Sequence, residues 1–131
     1  MFFYAHSGVR YLVLLAGLLA FAYALYGAVT RRPYDRTMFL LARTFTAVTH
    51  IQVVLGVALL LTRPFSGALV GHIVTMVFAA VVATVVPAVM RRREPAARTY
   101  LPHVVAILVA LALMVMGMMA IGRSPFSMTP R

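Results

Sequence analysis

Four apolar stretches, each close to the length a helix needs to cross a bilayer, take up most of this 131-residue chain and leave little sequence for anything else. They run from about Val9 to Val29, Thr44 to Leu61, Ala68 to Met90 and Tyr100 to Ile121. At the rise of an α-helix, ~20 residues span the ~30 Å hydrocarbon core. Each stretch is stopped by arginine close to proline: Thr30-Arg31-Arg32-Pro33, Thr62-Arg63-Pro64, Arg91-Arg92-Arg93-Glu94-Pro95 and Gly122-Arg123-Ser124-Pro125. The guanidinium stays out of hydrocarbon, and proline cannot continue the backbone ladder. Only 11% of residues are charged and 63% are hydrophobic, against about 25% charged in a soluble domain. Lipid must therefore be the solvent. The expected fold is all-α, an integral membrane up-down-up-down four-helix bundle forming one domain over 1–131, with helices at about 4–30, 38–62, 68–91 and 99–122. Short connections make successive helices antiparallel neighbours. The N-terminal run lacks a basic leader and a small-residue cleavage site, so it reads as the first span.

The basic balance, 12 Lys+Arg against 2 Asp+Glu, does not point to nucleic acid. All the basic residues are arginine and they sit between apolar runs, where they act as topology signals. The first and third connections hold eight: Arg31, Arg32, Arg36, Arg43, Arg91, Arg92, Arg93 and Arg98. The other side holds four: Arg10, Arg63, Arg123 and Arg131. The positive-inside rule then puts both termini outside and the two arginine-rich loops in the cytoplasm.

The chemistry open to the chain is narrow. With no cysteine, disulfides, thiolate metal sites, iron–sulfur clusters and covalent haem attachment are excluded. The two acids, Asp35 and Glu94, lie in the arginine-rich loops and are read as ion-pair partners. No paired carboxylates, nucleophile constellation or glycine-rich phosphate loop is present. What remains is His6, His50, His72 and His103, one per helix. His50 lies well inside an apolar run, where an ionisable group is costly and usually functional. The others stand near helix ends, where an interfacial or hydrogen-bonding role is the plain alternative.

Depth sorts the four into pairs. Measured from Arg43 and Arg98, His50 and His103 lie roughly 10 Å and 7–8 Å in from the cytoplasmic boundary. Measured from Arg91 and Arg31, His72 and His6 lie roughly 28 Å and 37 Å above it. The inner pair is thus the better matched, and the outer pair disagrees by about 9 Å, which tilt could absorb. In a sequential bundle helices one and three are diagonal, as are two and four, so each pair can converge across the axis. Two imidazoles on opposite faces of a flat ring are the axial ligands of haem iron. Two such haems, about 20 Å apart along the helix axes, would carry electrons across the membrane. Arg10 shares a helix face with His6, and Arg43 shares one with His50. Either could pair with haem propionates or, alternatively, snorkel to lipid phosphates. Gly17 lies on the face of His6 and Gly117 on that of His103, each open to a porphyrin or to plain helix packing. Met114, Met116, Met118 and Met119 read as packing or lipid-facing residues, with a methionine in place of a histidine as axial ligand the alternative.

The segment His6-Ser7-Gly8-Val9-Arg10-Tyr11, with Thr49-His50-Gln52 and Gly71-His72, resembles small bacterial four-helix cytochrome b-like membrane proteins. The histidine layout is also similar to the four-helix core of the cytochrome b561 family. The resemblance implies one or two b haems, one on His6 and His72 and the other on His50 and His103. It further implies a place in the bacterial inner membrane and electron exchange with a quinone or a partner redox subunit. The chain lacks that family's two flanking helices and shows no ascorbate site, so quinol or a partner protein is the expected donor. So little chain lies outside the membrane that a homo-oligomer or a subunit of a larger complex is expected. The competing function is a non-redox anchor or accessory subunit of a respiratory or photosynthetic complex.

Overall fold

The computed structural model describes residues 2–62 and 67–120. Four helices account for nearly all of them: α1 (Phe2–Thr30), α2 (Arg36–Thr62), α3 (Ala68–Arg92) and α4 (Leu101–Ala120), with a short 3-10 turn at Pro95–Ala97 before α4. The fold is an all-α four-helix bundle, and all four helices are long and apolar enough to cross a membrane. The expected stops at Arg63-Pro64 and at Gly122-Arg123-Ser124-Pro125 lie outside the described residues, as do Arg63, Arg123 and Arg131 of the charge count.

The boundaries at the arginine-rich end have local causes. Arg31 takes the left-handed conformation (φ 55°), and the Arg32 amide reaches back to the Gly27 carbonyl at 3.1 Å. That six-to-one closure ends α1 and satisfies one of its last carbonyls. Asp35 then caps α2, its carboxylate accepting from the Met38 amide at 3.1 Å. Arg32 pairs with the same carboxylate at 3.4 Å, so the ion pair expected of Asp35 is present and the cap is an added role, whereas among the described residues Glu94 forms none.

Consecutive helices pack side by side, and α4 returns to α1, closing a four-membered ring with α1 and α3 on one diagonal and α2 and α4 on the other. The interior is built largely from small residues. Gly17, Ala20, Ala24 and Gly27 form one stripe down α1, and Ala42, Ala79, Ala83 and Ala110 are buried on the other helices. Lipid offers no hydrophobic contrast between helix faces, so close backbone approach and dispersion hold such a bundle together. Leu12, Leu15, Leu18, Val54, Val81 and Leu108 are exposed, as residues meeting lipid tails should be. Met114 and Met118 are buried while Met116 and Met119 face outward, matching the packing and lipid-facing roles expected of them.

One cross-link between helices follows from proline chemistry. Pro87 lies inside α3 and has no N–H for the carbonyl of Ala83, four residues earlier. Thr46 of α2 supplies the missing donor, its Oγ1 lying 2.7 Å from the Ala83 oxygen. A backbone defect in one helix thereby becomes a tie to its neighbour.

Candidate functional site

The structure brings His6 and His72 together across the α1–α3 diagonal, at the end opposite the arginine-rich loops. Their ring centres lie 6.4 Å apart with the planes at 78°, an edge-on arrangement. His72 Nδ1 is 2.8 Å from the carbonyl oxygen of Gly117 on α4. A carbonyl only accepts, so Nδ1 carries the proton and Nε2 keeps its lone pair in the neutral ring. Binding one ring nitrogen to a carbonyl is how proteins fix a metal-ligating imidazole. His6 rests against Gly56 on α2: a Cβ there would stand 3.1 Å from His6 Cε1. Gln52, one turn earlier, donates to the His6 backbone carbonyl at 2.8 Å. Glycines of α2 and α4 thus flank histidines of α1 and α3. Arg10, 6% exposed, lies one turn from His6 with its guanidinium 5.0 Å from the centre of the Tyr11 ring. Its Nη2 donates to the Tyr11 hydroxyl at 3.3 Å.

His50 and His103 are not brought to each other but given separate partners. His103 is fully buried at 1% exposure. Its Nε2 lies 2.7 Å from the Tyr34 hydroxyl, and the two rings stack at 5.6 Å and 22°. Tyr34 belongs to the α1–α2 connection, which folds back into the end of the bundle. Tyr100 supports it: its ring lies 5.3 Å from that of Tyr34, and its hydroxyl donates to the Pro33 carbonyl at 2.9 Å. Gly27 makes room, since a Cβ there would stand 2.5 Å from the Tyr100 ring. Tyr23 donates to the Asp35 carboxylate and completes the cluster. Burial pushes the Tyr34 hydroxyl up to about 12 and, with the Asp35 charge adding to it, the Tyr100 hydroxyl up to about 12. Burial alone would raise the Asp35 carboxyl, but the hydrogen bonds from Tyr23 and the Met38 amide, with Arg32 beside it, hold it below its ordinary value.

His50 is exposed on the α2 face that meets α3, with Nε2 2.8 Å from Thr84 Oγ1. Thr84 spends its single proton on the Ala80 carbonyl at 2.6 Å, so its oxygen accepts from His50 Nε2–H. Arg43 shares this groove and lies over Phe39 at 5.6 Å.

The order of fit expected from depth is therefore reversed. The outer pair converges despite its 9 Å mismatch in estimated height (a count of about 1.5 Å per residue), whereas the better matched inner pair has Nε2 of both rings engaged by hydroxyls. Counting along straight helices takes no account of tilt or rotation, and both decide which neighbour an imidazole meets. The glycine expectations shift likewise. Gly117 lends its carbonyl to His72 rather than facing His103, and its missing side chain admits Thr75 and Met76 of α3. Gly17 is a packing residue, because a Cβ would strike Leu111 at 2.7 Å and Phe45 at 2.9 Å. Two participants were missed. Gly56 lies one turn beyond Gln52, a polar residue in an apolar run, which was the available signal. Tyr34 follows Pro33 in the arginine-rich first connection, where no sequence signal marks a side chain that packs inward.

Compared with family models, curated proteins and solved structures, the chain matches none. Among the described residues no three His, Cys, Asp or Glu side chains converge as a bare metal ion would require. A pair of imidazoles can serve only a metal that arrives with most of its coordination already filled.

Proposed function

We propose that this chain is a membrane-embedded cytochrome of b type that holds one haem between His6 and His72. The observation that carries the reading is the geometry of that pair. Two imidazoles sharing one metal at ~2.0–2.1 Å per nitrogen stand with ring centres ~6–6.5 Å apart, and these stand at 6.4 Å. The Gly117 carbonyl already sets the tautomer that leaves His72 Nε2 as a ligand. The missing side chain at Gly56 keeps α2 clear of the His6 ring, and the buried Arg10 offers a counter-charge for a propionate one turn away. Bound haem would supply a one-electron iron(III)/iron(II) couple. The chain's own contribution is to bring two imidazoles together, fix the protonation of one, and set them in a low-dielectric bundle.

In this reading the protein sits in the bacterial inner membrane with the arginine-rich loops in the cytoplasm. It exchanges electrons with a quinone or a partner redox subunit. The pair lies in the two segments on which the resemblance to cytochrome b-like proteins rests, His6 to Tyr11 and Gly71-His72. The purified protein should give a reduced-minus-oxidised spectrum of b type and one haem per chain by pyridine haemochrome. His6→Ala and His72→Ala should each abolish it while helical circular dichroism persists. A colourless wild-type protein that is fully folded, even when supplied with haem during synthesis, would overturn the reading and favour a non-redox anchor.

A further inference from the structure

The groove between α2 and α3 at the arginine-rich end has a chemistry of its own. Along α2, Arg43 and His50 are seven residues apart; along α3, Thr84 and Arg91 are also seven apart. All four line one cavity of about 320 Å³. The helices are antiparallel and joined by the His50–Thr84 hydrogen bond. Both guanidiniums therefore stand at one end of the groove, and the hydrogen-bonded pair lies about 10 Å deeper, two helical turns toward the membrane interior. Phe39 lies beneath the Arg43 guanidinium, and Pro87 lines the wall opposite.

Among the described residues no carboxylate lines this groove. Asp35 is taken by Tyr23, Arg32 and the α2 cap. Two cations flanking a cleft that opens sideways between spanning helices call for an anion. Exposed Val81 on α3 and Val54 on α2 continue the apolar surface on the deeper side of the His50–Thr84 pair, so the anion is one that carries acyl chains.

We propose that this groove binds an anionic phospholipid. Its phosphodiester lies between Arg43 and Arg91, its ester region reaches toward His50 and Thr84, and its chains lie along the outer faces of α2 and α3. Basic pockets between spanning helices recognise acidic headgroups through charge-assisted hydrogen bonds in a medium with little screening. A neutral quinone would have no use for two guanidiniums. The site does not depend on haem at the other end of the bundle.

Native mass spectrometry of the full chain in detergent, titrated with palmitoyl-oleoyl phosphatidylglycerol, tests it. Wild type should retain phosphatidylglycerol well above phosphatidylcholine, and inorganic phosphate should displace neither. The double variant Arg43→Gln/Arg91→Gln should lose roughly 25-fold in retention, about fivefold per guanidinium. Arg92→Gln/Arg93→Gln, which removes the same charge from the same end outside the groove, should stay within a few-fold of wild type. A photoreactive phosphatidylglycerol should label wild-type peptides spanning 39–50 or 84–91, a readout that needs no variant to fold. Equal retention of the two lipids, equal losses in the two double variants, displacement by phosphate, or labelling spread evenly over four helices would each overturn the proposal.

Discussion

At one end of the bundle His6 and His72 face each other across the α1–α3 diagonal with ring centres 6.4 Å apart. At the arginine-rich end His50 and His103 each bond a hydroxyl on a neighbouring element, Thr84 and Tyr34 respectively. Both ends have one imidazole on each of two diagonal helices, and both have small residues nearby. The difference lies in what fills the space between the helices. At the first end Gly56 keeps α2 clear of the His6 ring, and the Gly117 carbonyl of α4 accepts from His72. At the second the α1–α2 connection turns inward and sets an aromatic ring against His103. Two histidines in a bundle are therefore a potential ligand pair only where the other two helices yield space and no loop supplies a competing donor.

The comparison breaks first if the glycine end tolerates bulk. Gly56→Leu should lower haem content by at least about tenfold, the scale of losing a supporting contact around a metal ligand. His50→Ala should leave haem content at the wild-type level, as measured by pyridine haemochrome. Retention of haem in Gly56→Leu would show that the cradle is not where the group sits. Removing the plug at the other end is the next test. Tyr34→Phe leaves a buried histidine without its hydroxyl partner and should cost about 1–3 kcal/mol, read as a lower midpoint of unfolding in detergent. The haem count should remain one per chain; a second haem would show that Tyr34 alone separates the two ends.

Gly27→Ala forces a Cβ to within 2.5 Å of the Tyr100 ring and should destabilise the same end by about 1–3 kcal/mol through overpacking, with an unchanged visible spectrum. The pH response is gentler. Tyr34 and Tyr100 stand near 12 in the folded protein against an ordinary value of 10.0. Above pH 10 the unfolded chain releases these protons and the folded one does not. Their contribution is thus fully present below about pH 10 and is lost as pH rises toward 12. Tyrosinate absorbance should show late-titrating groups, one fewer in Tyr34→Phe, where Tyr100 still titrates late. The smallest effect is expected at Arg31, held at φ 55°. Arg31→Gly relieves a left-handed side chain and should raise stability by about 0.5–1 kcal/mol.

Much of this was legible along the chain. The helices end within about two residues of the expected bounds wherever both are described, because charge and proline exclude themselves from hydrocarbon helix. One histidine per helix and the choice of diagonals followed from four short-looped spans. Which pair closes did not follow, since His50 and His103 matched better in height yet point to different neighbours. Gly56 and Gly17 look alike as glycines in apolar runs, but one borders an imidazole and the other admits Leu111 and Phe45.

The sequence by itself determined four membrane-length helices, their antiparallel order and the end of the bundle at which each histidine lies, because hydrocarbon thickness and helical rise turn residue counts into approximate heights. Only the tertiary structure decided how far each helix is rotated about its axis. In a soluble protein the contrast between oily and wet faces would have announced that angle. In lipid all faces are apolar, so rotation is set by the fit of small residues, by the Thr46 tie to the Ala83 carbonyl left open by Pro87, and by a tyrosine that folds in from a loop.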